Sequence, residues 1–192
     1  MDAFLSYGFL QRALLAGVFV AIACALLGIF LILRRDAMIG HGLAHVAFAG
    51  VAIGLFLKVM PLAAALFVVV ITSLGILRLK EKAGLYGDTA IAIFSSAGFA
   101  LGILLVTLAR SFNVDLFGYL FGDILAIQPS EVWLSIGLAA VIVLVIIINY
   151  KKFMYMTFDR ESAKASGIKV NRLDMLITIL TAITVVLGMK VV

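Results

Sequence analysis

His41 and His45 are the only histidines in this 192-residue sequence, and they stand four residues apart in a charge-free run. On a helix that spacing places both imidazoles on one face, one turn above the other. Neutral imidazole is a good ligand for zinc and related divalent ions, and such a pair can give two nitrogens to one ion. Hydrogen bonds to neighbouring helices, or a position for His41 at the polar edge of its helix, would account for the same spacing. Asp36 and Asp88 are the nearest acidic candidates, Asp88 being the better suited to an N-cap. A second acidic group, Asp115, Asp123 and Glu131, lies in a segment whose negative charge would favour an arriving cation over an anion. A metalloenzyme would want a general base beside the pair, as in H-E-x-x-H, whereas these residues read His-Gly-Leu-Ala-His. No G-x-x-x-x-G-K-[ST] loop occurs, so nucleotide chemistry is expected on another chain.

The elements that position these groups are membrane helices. Hydrophobic residues make up 65% of the chain and charged residues 13%, with a mean hydropathy of +1.26; soluble domains run near 45–50% and about 25%. Charge-free runs cover residues 13–33, 37–57, 59–77, 89–109 and 132–150, each near the roughly 20 residues that cross a bilayer. A sixth begins at Met175 and reaches the last residues, Lys190, Val191 and Val192, without a polar tail, so a truncated or incomplete chain is expected. The first run is too long for a signal-peptide core of about 7–15 residues. Cys24, the lone cysteine, is expected to pack as a small apolar residue. Small residues at Ala47, Gly50 and Gly54, and again at Gly98 and Gly102, predict close helix approach. The segment 116–127 is too short to span twice and is expected to form a short re-entrant or interfacial helix. The fold class is therefore all-α, a polytopic transmembrane bundle of about six spans in a single domain, residues 1–192.

Residues 157–174 form the one long polar interruption, TFDRESAKASGIKVNRLD. Asp159 suits an N-cap, Glu161 the first turn of a helix, and Gly167 a left-handed stop, giving about two turns. So short a helix is marginal alone in water, which points to a docking helix held against a partner protein; an ordinary solvated loop is the alternative. Placing the N-terminus outside puts eleven of the 15 Lys and Arg residues on the cytoplasmic side, Arg34, Arg35 and Arg160 among them, and the docking helix with them. The basic balance thus reports topology, and its dispersed charges do not form a nucleic-acid-binding face.

Three stretches, RRDAMIGHGLAHVAFAGVAIG, VDLFGYLFGDILAIQP and DRESAKASGIKVNRL, occur in this order. Together they resemble the permease subunit of ABC importers for zinc and manganese, most closely the zinc-uptake permease, over essentially the whole chain. The resemblance implies a multi-helix permease of the cytoplasmic membrane that dimerises with a second copy. It implies metal delivered by an extracytoplasmic binding protein and transport driven by a separate ATP-binding subunit, with ATP bound there and no cofactor on this chain. It identifies residues 159–167 with the coupling helix, so that Asp159, Arg160, Glu161, Ala163 and Gly167 are expected to dock the ATPase. Family members usually carry an acidic residue where His41 stands, and they continue for roughly another third of the length with further spans.

The expected mechanism passes a zinc or manganese ion along the acidic segment, through Asp123, to His45 and His41, which replace its hydration water in transit. Nucleotide-driven motion of the coupling helix would then tilt the spans. A permease for a metal chelate such as a siderophore, or an ATPase-independent secondary transporter with broken helices in matching halves, are the competing readings.

Overall fold

The structure, a computed structural model, describes residues 8–83, 87–108 and 129–191. Among them are seven helices and no strand: α1 (Gly8–Leu33), α2 (Ile39–Phe56), α3 (Pro61–Ala83), α4 (Gly87–Leu108), α5 (Pro129–Phe158), α6 (Arg160–Ala165) and α7 (Val170–Val191). Six are long and apolar enough to cross a membrane. Two of the long helices open on proline, which has no amide hydrogen to leave unsatisfied at that position. The expected re-entrant segment lies outside the described residues.

The spans form two packed groups joined by α7. On one side α1 packs along α5 and α7 around Leu27, Phe30, Ile142, Ile146, Phe153 and Ile177. On the other, α2 lies between α3 and α4 and also touches α7, around Leu43, Val46, Val51, Val69, Ile91 and Val186. Glycine makes the α2 contacts possible. A Cβ on Gly50 would come 2.6 Å from Ala65 Cα, and one on Gly54 2.7 Å from Pro61 Cα. Across the α2–α4 face, Gly98 lies under the Val46 backbone and Gly102 under the Phe48 ring. The small-residue reading of these four glycines holds. Cys24 departs from its reading: it is exposed on α1 and belongs to neither core cluster of the described residues.

Three helix ends share one solution. After α1, α2 and α6 the backbone turns left-handed at Arg35 (φ 58), Lys58 (φ 55) and Gly167 (φ 80). In each, the next amide donates to a carbonyl one turn back, Asp36 to Leu31, Val59 to Gly54 and Ile168 to Ala163. Only the last uses glycine, so Arg35 and Lys58 hold a conformation that L residues rarely adopt. The helix α7 begins at Val170, earlier than the charge-free run from Met175, and takes Arg172 and Asp174 into its first two turns. Asp174 tolerates that position because two arginines meet its carboxylate.

Candidate functional site

The histidines occupy the first two turns of α2, at positions three and seven of an 18-residue helix. His41 is exposed and His45 half-buried, its ring edge-on to Phe99 of α4 at a centroid distance of 5.1 Å. The two Nε2 atoms lie 3.3 Å apart. Two nitrogens each about 2.0–2.1 Å from a tetrahedral ion stand about 3.3–3.4 Å apart, so the pair already has the spacing of two ligands of one ion. Without an ion, that contact requires one ring to donate and the other to accept; a cation would displace the shared proton. Beside His41 a cavity of about 430 Å³ opens between α2 and α4, lined also by Asp88, Ser95 and Ser96.

No group of three or more His, Cys, Asp or Glu side chains converges among the described residues. The histidines therefore supply two donors, and the adjoining cavity, mostly apolar but carrying Asp88, Ser95 and Ser96, has room for water or further ligands. Asp123 lies outside the described residues. Asp36 is not available to an ion, since its carboxylate pairs with Lys80 and lies 4.0 Å from Arg34. Asp88 is the second residue of α4, inside the first turn and not at the N-cap, where its charge still faces the positive end of the helix.

The second polar feature is α6, six residues long. Its N-cap is Asp159, extended at φ −143, ψ 95, whose carboxylate accepts from the Ser162 amide at 2.9 Å. Its stop is Gly167, whose amide donates to Lys164. Both local roles match the sequence reading. The hydrogen bond from the Ser162 side chain, then that from its amide, hold the Asp159 carboxyl below the ordinary Asp range. A depressed folded-state value makes this cap's contribution fully present above the ordinary Asp pKa of about 3.9 and lost as pH falls through the lower folded value. Protection of the Ser162 amide against exchange, taken relative to its intrinsic rate at each pH, should thus hold from neutral pH to about pH 4 and fall below it, and Asp159→Ala should lack that protection at every pH.

Two of the expected docking residues point elsewhere. Ala163 is 0% exposed and packs with Phe153, Met156 and Val170, so its methyl anchors α6 to the bundle and offers nothing to a partner. Arg160, half-exposed, turns inward to Asp174 at 2.6 Å and toward Glu81 of α3 at 4.0 Å. The outward face is carried by Glu161, Lys164 and Ala165, with Glu161 and Lys164 paired at 3.2 Å. Arg160 was legible as polar, but its inward partner sits fourteen residues on, in the next span.

A capped two-turn helix between spans, and a histidine pair at the start of a glycine-packed span, are the features to compare. The model of the ABC 3 transport family matches residues 6–192. The chain belongs to this family. Among relatives, it is 36% identical over 191 residues to the manganese transport system membrane protein MntC of Halalkalibacterium halodurans, covering 100% of this chain and 65% of that protein. It is 35% identical to the high-affinity zinc uptake system membrane protein ZnuB of Haemophilus influenzae, over 93% of this chain and 68% of the relative. Among solved structures, PsaBC from Streptococcus pneumoniae in complex with Fab matches with a TM-score of 0.82 and 34% identity, over 98% of this chain and 68% of that one. This ABC 3 chain thus spans about two thirds of the length of the relatives it matches.

Proposed function

We propose that the chain is the membrane-spanning permease part of an ATP-driven importer of divalent metal ions, manganese or zinc. The observation that carries this reading is the His41–His45 pair, preset at 3.3 Å on the open face of α2, in a chain whose relatives are named for manganese and zinc transport. A divalent cation cannot shed its water into hydrocarbon unless ligands replace it, and an imidazole pair beside a cavity that carries Asp88, Ser95 and Ser96 does that for one step of the passage. Asp123 is assigned to the entry side. The two histidine ligands among the described residues suit a site completed by water or by a second permease copy.

Energy enters through α6. The concentration of Lys and Arg at the Arg34, Lys80 and Arg160 ends of the spans supports a cytoplasmic placement for this helix, with the N-terminus outside and the protein in the inner membrane. An ATP-binding subunit docks on the Glu161, Lys164 and Ala165 face, Asp159 and Gly167 hold the helix in shape for it, and an extracytoplasmic binding protein delivers the metal. ATP is bound and hydrolysed on the partner. The test is co-purification: reversing the outward pair, Glu161→Lys with Lys164→Glu, should cut recovery of the ATP-binding subunit at least about tenfold, because mismatched interfacial charges cost several kcal/mol. Undiminished recovery together with undiminished uptake would remove the coupling role from α6.

A further inference from the structure

At the end of the bundle where α6 lies, the span ends are tied by a line of alternating charges. Asp174, 0% exposed, sits on α7 between two arginines. Arg34 Nη2 donates to its Oδ1 at 2.5 Å, and Arg160 Nη2 of α6 lies 2.6 Å from its Oδ2. Arg34 Nε is also 4.0 Å from Asp36 Oδ2, and the other oxygen of Asp36 takes the Lys80 ammonium of α3. The line then reaches the histidine helix: the Asp36 carbonyl accepts from the Ile39 amide at 3.0 Å, and Ile39 is the first residue of α2. Even α4 starts against it, since a Cβ on Gly87 would stand 3.2 Å from both Asp36 Oδ1 and Lys80 Nζ.

Among the described elements the backbone of α6 packs on its chain neighbours α5 and α7, while its Arg160 side chain reaches Asp174 and comes within 4.0 Å of Glu81 on α3. A displacement imposed on α6 can therefore reach α1, α2 and α3 through α5 and α7, or through Arg160 and the charges behind it. The joint also has room to rearrange. A cavity of about 300 Å³ adjoins it, lined by Arg34, Asp36, Lys80, Thr157, Arg160 and Asp174. Arg34 Nη1, Thr157 Oγ1 and Asp174 Oδ2 are buried there without a hydrogen-bond partner among the described residues, so Arg160 holds Oδ2 as an ion pair at 2.6 Å. A buried carboxylate shared by two guanidinium groups resists losing either, so moving one drags the other.

We propose that Asp174 is a positioning residue for energy coupling: it clamps Arg160 of α6 to Arg34 at the α1–α2 corner, so that motion of α6 shifts the span that carries His41 and His45. This rests on the reading of α6 as the site of ATPase docking. The test is the amount of metal transported per ATP hydrolysed, in the complete transporter reconstituted with its ATP-binding subunit. Asp174→Asn is expected to leave assembly and hydrolysis within about twofold of wild type while transport per ATP falls at least about fivefold. Arg160→Gln, at a half-exposed position, is expected to do the same and decides the matter if Asp174→Asn does not fold. An unchanged transport-to-hydrolysis ratio in the folded variant overturns the proposal, as does a parallel loss of both activities or loss of assembly in Arg160→Gln. Failure of the docking reading is separately visible, as undiminished ATPase recovery and uptake in the Glu161 and Lys164 variants.

Discussion

His45→Ala is expected to reduce uptake of both manganese and zinc by about a hundredfold or more at limiting metal, since even the loss of a residue that only supports a metal ligand costs 10–100-fold. The reasoning is geometric. With two nitrogens 3.3 Å apart, removal of one leaves a single imidazole, which holds a divalent ion no better than a surface histidine does. Insertion and folding should survive, because His45 is half-buried and touches Phe99 by its ring edge alone. The measurement is radiolabelled uptake in cells expressing the protein with its ATP-binding partner, normalised to the amount in the membrane. Uptake within twofold of wild type would remove the ligand assignment and leave the family membership standing. His41→Asp makes a sharper companion: it keeps a second ligand but exchanges a borderline nitrogen for a hard oxygen, so preference should move from zinc toward manganese.

The histidine pair and α6 were legible because both are local. Four-residue spacing on a helix fixes a shared face, and an N-cap and a left-handed stop are written within one or two turns of the residues they serve. The six spans were legible for the same reason, as runs of apolar sequence. What the sequence hid is set by distance. Asp174 reads as the last residue of a polar loop until Arg34, 140 positions away, is seen beside it. Its neutralised charge is what lets α7 begin at Val170. Ala163 reads as one more residue of an exposed helix, since six residues are too few to display an apolar face. Asp36 reads as a possible ligand until Lys80 and Arg34 are found to hold it. Charges whose partners lie on other spans can be assigned only once the packing is known.

Gly50→Ala is expected to destabilise the protein by at least about 1–3 kcal/mol, the usual cost of overfilling a packed site, and Gly50→Leu to prevent accumulation of folded protein. The added methyl would sit 2.6 Å from Ala65 Cα and 3.3 Å from its Cβ. The nearest atom there is backbone, so no side chain can swing away, and α2 and α3 must separate. Helix propensity acts in the opposite sense, but alanine gains at most about 1 kcal/mol over glycine in a helix interior. Gly28→Ala supplies the control: nothing lies within 4 Å of its added carbon on α1, so only the propensity gain applies. Thermal unfolding of the detergent-solubilised protein should accordingly separate the two, with Gly28→Ala at or above wild type and Gly50→Ala clearly below. Equal midpoints would mean that α2 and α3 do not approach through Gly50. Because His41 and His45 lie on this same helix, a partly folded Gly50→Ala should also lose metal uptake out of proportion to its abundance, the pair having been displaced relative to Phe99 and the α4 cavity.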